Sequence, residues 1–305
     1  MKLSIVTTMY YSEPYLKDFH TRVKASAEAI TKSYEIIFVD DGSPDNSLQT
    51  VMALKKKNDK KIKIIELSRN FGHHKAMMTG LSHAKGDYVF LIDSDLEEEP
   101  ELLEIFWKEI NEDTTLDVIY GVQKFRKGYF LEKTFGYLFY SLFNYFSDYK
   151  LTRNLVVARL MKKQYVKSLS QYNEEHPLFA GLCVLAGYNQ KEYYITKGHK
   201  KQTSYSFRKK LSLVINSITS FSAKPLVSIF YLGLIILLIS TLFIIRMLYQ
   251  KIFLGASIGW TSIVISIWFF GGLVIFCLGI LGIYLAKIYE QSKHRPYTVI
   301  KNFYK

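Results

Sequence analysis

The chain has 305 residues, which is enough for one large or two ordinary domains. Its 40 Lys and Arg residues outnumber its 27 Asp and Glu residues and give a formal net charge of +13. No basic helix or aromatic platform typical of nucleic-acid binding is recognisable outside the membrane-proximal part, so we expect no nucleic-acid partner. The two cysteines, Cys183 and Cys277, lie far apart, which argues against a disulfide framework and favours a protein that faces the cytosol.

Short apolar runs alternate with helix-length segments over the first 120 residues. The runs predict strands at 3–8, 34–40, 62–67, 88–93 and 116–121, and the segments between them predict helices at about 14–32, 46–58, 73–84 and 99–111. Strands that are apolar almost throughout are typical of a mainly parallel sheet with helices on both faces. The sequence therefore predicts an α/β fold.

Acidic residues follow two of the predicted strands. Asp40 and Asp41 end one strand, and Asp93 and Asp95 end another. In an open parallel sheet, ligands bind outside the carboxyl ends of the strands, so we expect both pairs at the same edge. A few hard carboxylate oxygens suit Mg²⁺ or Mn²⁺, whose coordination is usually completed by water and substrate phosphates. Such a cation would neutralise a diphosphate and stabilise its departure.

The acids that follow Asp95 have a simpler explanation. Negative side chains are favoured at a helix N-terminus, so for Glu98, Glu99 and Glu101 we expect solvated positions at the start of the next helix. That explanation does not account for Asp93 and Asp95, because it leaves the preceding buried strand and the second acidic pair unexplained. Of the seven histidines, His73, His74, His176 and His199 carry little weight as metal ligands. The adjacent His73 and His74 would point about 100° apart on a helix.

The C-terminal part predicts a membrane anchor. Residues 226–245 and 258–286 are free of charge and long enough to cross a hydrocarbon core as helices. Basic residues flank both outer ends, which places both termini in the cytoplasm of an inner-membrane protein. Residues 206–225 begin basic and continue with an apolar stripe, as expected of a juxtamembrane helix on the membrane surface. The aromatic segment 125–149 fits a helix packed on the core or one at the membrane interface, and both remain open.

The predicted organisation follows from these segments. Residues 1–205 form a cytoplasmic catalytic domain, 206–225 the juxtamembrane amphipathic helix, 226–286 two transmembrane helices, and 287–305 a basic cytoplasmic tail. The apolar run near the N-terminus is soon interrupted by Glu13, Pro14 and Lys17, unlike a signal peptide. Small residues in the second span permit close helix packing and leave a homo-oligomer open: Gly271, Gly272, Gly279 and Gly282.

Four stretches in this order resemble the polyprenyl-phosphate glycosyltransferases, the dolichol-phosphate-mannose-synthase-like group of family 2 glycosyltransferases. They are "FVDDGSPDNS" (38–47), "LSRNFGHHKAMMTGL" (67–81), "GDYVFLIDSDLEEEPELL" (86–103) and "VIYGVQKFRKG" (118–128), and the two C-terminal spans follow them. The resemblance implies a GT-A fold. It also implies transfer of a sugar, with inversion, from a UDP-, GDP- or dTDP-sugar to undecaprenyl or dolichyl phosphate in cell-envelope polysaccharide synthesis.

The resemblance also implies roles for individual residues. Asp40 and Asp41 would face the base and ribose of the nucleotide, and Arg69 and Gly72 belong to a donor-site loop. Asp93 would face the ribose and diphosphate. The metal would be held by Asp95 and by Glu97, which stands where the family usually has Gln. The remaining assignments concern phosphate: Arg126 would handle the phosphate in catalysis, whereas Lys200, Lys201 and Arg208 would bind the lipid phosphate or, equally, anchor the chain to the membrane surface.

The sequence departs from the family pattern at several places. "TMYYSE" (8–13) replaces the usual motif after the first strand, and Gln123 replaces an expected arginine. In "VVARLM" (156–161), Arg159 and Leu160 are kept but Val157 replaces an aspartate that is a candidate base. A phosphate monoester is largely dianionic at neutral pH, so it can attack without a general base.

Three alternatives follow from these departures. The first alternative is a catalytically altered scaffold that binds nucleotide sugars. The second is a family 2 transferase that uses a different lipid-linked acceptor. The third is a processive or hydroxyl-directed synthase of the same superfamily. Such an enzyme requires a general base and a longer membrane channel than two spans provide.

Overall fold

The computed structural model describes residues 2–56, 60–123, 141, 145, 154–174, 178–196, 224–254 and 260–305. Nearly all of the aromatic segment 125–149 and of the predicted juxtamembrane helix over 206–225 lies outside these residues. The chain divides into two compact units, one built on a β-sheet and one containing two long C-terminal helices. Residues 296–305 belong to the first unit although they follow the second in the sequence.

An eight-stranded sheet forms the first unit within the described residues. Its strands are β1 (Leu3–Met9), β2 (Tyr34–Asp40), β3 (Ile62–Leu67), β4 (Tyr88–Leu91), β5 (Val118–Gln123), β6 (Leu155–Lys162), β7 (Gln190–Ile195) and β8 (Ile300–Tyr304). They are arranged in the order β7-β5-β6-β4-β1-β2-β3-β8. The pairs β1–β2, β2–β3, β1–β4 and β5–β7 are parallel, and the pairs β4–β6, β5–β6 and β3–β8 are antiparallel. The predicted α/β fold with a mainly parallel sheet is confirmed.

The helices of the first unit pack against this sheet in two groups. Their bounds are α1 (Glu13–Ile30), α2 (Ser47–Lys56), α3 (His73–His83), α4 (Leu102–Glu112), α5 (Lys163–Leu169) and α6 (Phe179–Leu185). Helix α1 contacts α2 and α4, and this group shares one core with alternate residues of the strands, such as Phe38 and Phe90. Helix α3 contacts α5 and strands β1 and β2. Burial of almost every residue in β1 and β2 follows from this double coverage.

The predicted elements of the first 120 residues are present with small differences at their ends. The largest difference is at α4, which begins at Leu102 rather than near 99. The chain turns between β4 and α4, and Leu96 adopts a left-handed conformation with φ of 58°. Strand β4 also ends at Leu91, two residues earlier than predicted. The acids of this stretch therefore lie on an irregular loop and not on the first turn of a helix.

Two long helices, α7 (Lys224–Leu254) and α8 (Trp260–Ser292), form the part of the second unit that the structure describes. Within the described residues, one stretch is long and apolar enough to cross a membrane, Phe269–Ser292 in α8. Its apolar side chains are exposed, and Ile275 is 72% accessible. The structure thus supports one membrane helix by length and composition, where the sequence predicts two.

The end of the chain differs from the tail that the sequence predicts. Residues 300–304 form β8, which pairs antiparallel with β3 at the edge of the sheet. The segment "IKNFY" is short and half polar, so its pattern alone does not indicate a strand. It becomes one because β3 offers an unpaired edge whose backbone groups need partners.

Candidate functional site

The carboxyl ends of β1, β2 and β4 meet at one edge of the sheet. Asp40 is the last residue of β2, Asp41 follows it, and Asp93 lies two residues beyond the end of β4. Because β1 pairs in parallel with both β2 and β4, the two acidic stretches lie on either side of the end of β1. The Asp41 N–H donates to the Met9 carbonyl over 3.1 Å. The prediction that both acidic pairs reach the same edge is therefore confirmed.

Asp41 holds the loop 68–72 against the end of β2. Its Oδ1 accepts a hydrogen bond from the Phe71 N–H over 2.7 Å, and its Oδ2 accepts one from the Gly72 N–H over 3.0 Å. Gly72 has φ of 98°, a conformation that other residues rarely adopt, and leads directly into α3. Both oxygens of Asp41 are thus engaged by backbone groups, an arrangement that fixes a loop and leaves Asp40 as the freer carboxylate of the pair.

A second loop packs against loop 68–72. Gly42 follows the acidic pair with φ of 64°, and a Cβ at this position would lie 2.7 Å from the Asn70 nitrogen. Only glycine permits this approach. In the same region the exposed Arg69 guanidinium donates to the Asn70 carbonyl and lies over the Phe71 ring at 4.1 Å. The positions that the sequence assigns to donor binding, Asp40, Asp41, Arg69 and Gly72, are therefore brought together.

Burial changes the protonation of this acidic pair. Desolvation is the main cause that raises the pKa of Asp40 to about 6. The hydrogen bond from the Ser43 N–H opposes this rise, and the nearby charges of Glu66, Asp41 and Asp45 contribute to it. Desolvation also raises the pKa of Asp41, although the amides of loop 68–72 oppose this effect. Burial destabilises the charged form of such a carboxylate. A hydrogen-bond donor of a ligand, or a bound cation, therefore stabilises that charged form strongly.

His73 links β1 to the second acidic stretch. Its Nδ1 lies 3.1 Å from the Thr8 hydroxyl, and its Nε2 lies 3.3 Å from Oδ1 of Asp93. These two contacts fix the plane of the imidazole ring and orient the Asp93 carboxylate at the edge of the sheet. The sequence gives His73 little weight, because adjacent histidines on a helix are poor metal ligands. The resemblance gives one signal for it, because His73 fits the family motif directly after "NFG" (70–72).

Asp95 and Glu97 lie on the loop between β4 and α4. The Glu97 N–H donates to Oδ1 of Asp95 over 3.1 Å, and the Asp93, Asp95 and Glu97 residues are all partly accessible. Half-buried carboxylates at the end of a strand are suitable ligands for Mg²⁺ or Mn²⁺, because such cations keep several water or phosphate ligands. Among the described residues, no group of three or more His, Cys, Asp or Glu side chains is assembled as a complete protein metal site. The donor set fits a cation that shares its coordination with a substrate.

Glu98 contradicts the prediction of a solvated acid. Its residue is 1% accessible, its Oε1 accepts a hydrogen bond from the Val157 N–H over 3.1 Å, and its Oε2 accepts one from the Ala158 N–H over 2.7 Å. The loop between β4 and α4 is thereby attached to the first residues of β6. A carboxylate can be buried here because the two strand amides satisfy it. Glu99 is exposed and fits the prediction, and Glu101 forms a bidentate pair with Arg22.

Val157 and Arg159 lie on β6, two strands from β1. Arg159 is 3% accessible, and its guanidinium donates to the carbonyls of Val156 and Val157 and to the Cys183 sulfur. It also stacks on the Phe179 ring, with 4.6 Å between the guanidinium carbon and the ring centroid. These contacts describe a residue that packs the interior of the unit. The other residues to which the sequence gives a site role, Arg126, Lys200, Lys201 and Arg208, lie outside the described residues.

A family model described as "Glycosyl transferase family 2" matches residues 4–170 of the chain, more than half of its length. The chain belongs to this family. A protein of Mycobacterium tuberculosis that is named among the glycosyltransferases is 47% identical over 305 residues, which span 100% of this chain and 89% of the relative. The bactoprenol glucosyl transferase of Shigella phage SfV is 30% identical over 305 residues. The aligned region spans 99% of this chain and 99% of that relative. Membership of this family, to which the resemblance pointed, is confirmed.

The fold of this family 2 glycosyltransferase is similar to that of solved structures. Glucosyl-3-phosphoglycerate synthase from Mycobacterium tuberculosis, in complex with Mn²⁺, UDP-glucose and phosphoglyceric acid, matches 72% of this chain and 79% of its own with a TM-score of 0.51. The sequence identity is 15%, so this similarity concerns the fold alone. It supports the prediction of a GT-A-like α/β fold.

Asp40 generates a prediction about the pH dependence of stability. Between its ordinary pKa of 3.8 and its folded pKa of about 6, the unfolded chain has lost a proton that the folded chain keeps, so this group makes folding less favourable as pH rises through that window. The full difference corresponds to about 3 kcal/mol. We expect Asp40→Asn to raise the free energy of unfolding at pH 7.5 and to have little effect at pH 4, in thermal unfolding without cation or nucleotide.

Asp45→Asn is the matched control, with the opposite sign. Partial burial raises the pKa of Asp45, but hydrogen bonds from the Ser43 hydroxyl and from Ser47 outweigh it and hold the pKa below its usual range. This variant should therefore lose stability at pH 7.5 and not at low pH. Unfolding midpoints of Asp40→Asn and the unaltered chain that run parallel from pH 4 to 7.5 would contradict the assignment.

Glu98 generates a second prediction. In Glu98→Gln the amide nitrogen replaces one acceptor oxygen, so one of the two strand N–H groups loses its partner in a buried position. We expect a loss of about 2 kcal/mol, seen as a lower midpoint in thermal unfolding. Glu99→Gln makes the same chemical change at the adjacent exposed position and should leave the midpoint unchanged. Equal midpoints for the two variants would show that Glu98 does not hold β6.

Proposed function

We propose that the chain is a membrane-anchored inverting glycosyltransferase that moves a sugar from a nucleotide-sugar donor to a polyprenyl phosphate such as undecaprenyl or dolichyl phosphate. The observation that carries this proposal is the acidic edge of the GT-A-like sheet, where Asp40 ends one parallel strand and Asp93, Asp95 and Glu97 follow another. The full-length similarity to a bactoprenol glucosyl transferase supports the lipid acceptor.

The proposed donor site uses the geometry of this edge. Asp40 and Asp41 lie at the nucleotide's base and ribose, and Arg69 and Gly72 border the same site. Asp93, oriented by His73, accepts hydrogen bonds from the ribose and approaches the diphosphate. Asp95 and Glu97 would hold Mg²⁺ or Mn²⁺, which when bound supplies positive charge for the diphosphate leaving group. Arg126 is proposed for phosphate binding as well, because guanidinium binds phosphate through two parallel hydrogen bonds.

The proposed reaction is a single displacement. A non-bridging oxygen of the lipid phosphate forms a bond to the anomeric carbon while the bond from that carbon to the nucleoside diphosphate breaks, so the configuration inverts and the diphosphate leaves with the electron pair. The attacking phosphate is largely dianionic at neutral pH and needs no base at position 157. Catalysis then depends on positioning and charge neutralisation. Lys200, Lys201 and Arg208 are proposed to bind the acceptor phosphate.

The proposed membrane topology rests on the pairing of β8 with β3. The chain leaves the sheet-containing unit before α7 and returns to it after α8. A segment that returns to the same side of a membrane crosses it an even number of times. With one crossing by Phe269–Ser292, the second falls to α7, whose 31 residues exceed the roughly 20 needed. The catalytic unit and both termini then lie in the cytoplasm, with 206–225 along the membrane surface.

A transfer assay tests the proposed function. The detergent-purified chain is mixed with undecaprenyl phosphate, Mn²⁺ or Mg²⁺ and a panel of radiolabelled UDP-, GDP- and dTDP-sugars, and label is counted in the organic phase. We expect label with one donor, its loss with EDTA, and a fall of roughly 100-fold or more in turnover for Asp95→Asn, because the leaving diphosphate loses its charge neutralisation. Glu99→Gln, an exposed acid of the same loop, should retain activity.

Two results of this assay would contradict the proposal. Full turnover by Asp95→Asn would show that this loop does not hold the cation. Binding of a donor by the unaltered chain without transfer to any lipid would favour the catalytically altered scaffold or a different lipid-linked acceptor. Val157, where the family usually has aspartate, is the position that distinguishes these two. Transfer gained by Val157→Asp would identify an impaired transferase.

Cysteine labelling tests the topology. The two variants are Ser257→Cys, which stands in the sequence between the last residue of α7 and the first of α8, and Ser292→Cys, at the end of α8. We expect a membrane-impermeant maleimide to label the first variant in intact cells and the second only after permeabilisation, since two crossings place these positions on opposite sides. The unaltered chain, whose Cys183 is buried, serves as the background control. Labelling of both variants only after permeabilisation would exclude two crossings.

A further inference from the structure

The C-terminal segment 297–304 lies along the elements that carry loop 68–72. Strand β8 pairs with β3 from Tyr304 opposite Ile64 to Ile300 opposite Leu67, with an irregularity at the end of β3. The contact continues past the strand, because the Ser68 N–H donates to the Val299 carbonyl over 2.9 Å. Ser68 is the first residue of loop 68–72. The entrance to this loop is therefore fixed by a backbone hydrogen bond from the end of the chain.

The same segment contacts the helix at the exit of the loop. The hydroxyls of Thr298 and Thr79 lie 2.8 Å apart, which joins the segment to the middle of α3. The Lys75 ammonium lies 5.5 Å from the centroid of the Tyr297 ring, and the His83 ring meets the Phe303 ring edge-on. Helix α3 begins at His73, directly after Gly72. Both flanks of loop 68–72 thus rest on residues that follow the membrane helix in sequence.

Charge gives the contact a second effect on the site. Glu66 of β3 is 6% accessible and lies opposite Asp40 in the parallel register. Its carboxylate accepts hydrogen bonds from Lys301 Nζ over 2.6 Å, from Asn302 Nδ2 over 2.8 Å and from the Tyr304 hydroxyl over 2.9 Å. Without these donors a buried carboxylate would lack compensation beside Asp40, and such a group is costly. The side chains of the segment therefore compensate the negative charge of Glu66 next to Asp40.

We propose that segment 297–304 is a positioning element of the nucleotide-sugar site, which acts through Glu66 and Thr79 on loop 68–72 and on Asp40. This inference rests on the proposed function for the identity of the ligand and on the contacts above for the coupling. It follows that the donor site is completed by residues made only after the membrane helices. A catalytic unit that ends before α7 lacks part of its own nucleotide site.

The test compares substitutions at Lys301 and Thr298 of the segment with one at Lys305, the residue that follows it. Lys301→Met removes a donor to Glu66, and Thr298→Val removes the hydroxyl contact to α3 without changing the shape of the side chain. Lys305→Met is the matched control, because Lys305 lies over the Phe303 ring at 5.3 Å and is not among the donors to Glu66. All three are made in the full chain, and amide hydrogen exchange is measured by mass spectrometry on peptides that cover 68–75.

The expected result has two parts. Exchange at the amides of Phe71 and Gly72, which donate to Asp41, should be faster in Lys301→Met and Thr298→Val and unchanged in Lys305→Met. Binding of UDP, GDP or dTDP in the presence of Mn²⁺, whichever the unaltered chain binds, should weaken about tenfold in the same two variants, the size of a lost buried hydrogen bond. In the transfer assay the donor KM should rise while kcat and the acceptor KM stay close to those of the unaltered chain.

The outcomes separate this inference from the proposed function. Unchanged exchange in both variants would overturn the coupling whether or not a nucleotide binds. Faster exchange with unchanged nucleotide affinity would overturn the role in the site. A fall in kcat with unchanged KM values would indicate general destabilisation and would also overturn it. If the unaltered chain binds none of the three nucleotides, the proposed function fails and with it the role in a nucleotide site, while the exchange data still decide the coupling to loop 68–72.

Discussion

The hydrogen bonds from loop 68–72 to the Asp41 carboxylate organise the edge of the sheet. They hold an otherwise exposed loop against the end of β2 through two backbone N–H groups. A buried carboxylate requires such donors, because its desolvation is strongly unfavourable unless hydrogen bonds compensate it. The same loop leads into α3, whose first residue orients Asp93. One satisfied carboxylate therefore places a neighbouring helix and, through it, the second acidic stretch.

Negative charge is concentrated at this edge in a chain that is basic as a whole. Asp40, Asp41, Glu66, Asp93 and Asp95 lie at or near the carboxyl ends of β2, β3 and β4, three of the four parallel strands ordered β4-β1-β2-β3. The fold compensates these charges unequally. Backbone amides satisfy Asp41, and side chains of the C-terminal segment satisfy Glu66. Asp40 keeps a raised pKa, which marks it as a group whose charge is poorly stabilised until something binds.

Strand β8 brings residues from the C-terminal part of the chain into the sheet of the first unit. The sheet is covered at the β3 edge by residues that follow two long apolar helices, so the sheet-containing unit includes residues 296–305 as well as the N-terminal part of the chain. Pairing the exposed edge of β3 with the end of the chain also removes a row of unpaired backbone groups. The long apolar helices and the last strand of the sheet are thereby parts of one connected stretch of the chain.

The sequence by itself determined the class of fold, the strands of the first 120 residues, the edge at which the acids meet and the family. These follow from local patterns: continuous apolar runs for doubly covered strands, and motifs whose spacing is preserved along the chain. Tertiary structure alone decided the rest. Glu98 is buried because two N–H groups of β6, about 60 positions away in sequence, donate hydrogen bonds to its carboxylate. His73 joins the site because Thr8 of β1 and Asp93, just beyond the end of β4, both lie next to the start of α3. The end of the chain becomes a strand because β3 has a free edge. In each of these cases the environment comes from residues far apart in sequence, and no local pattern carries that information.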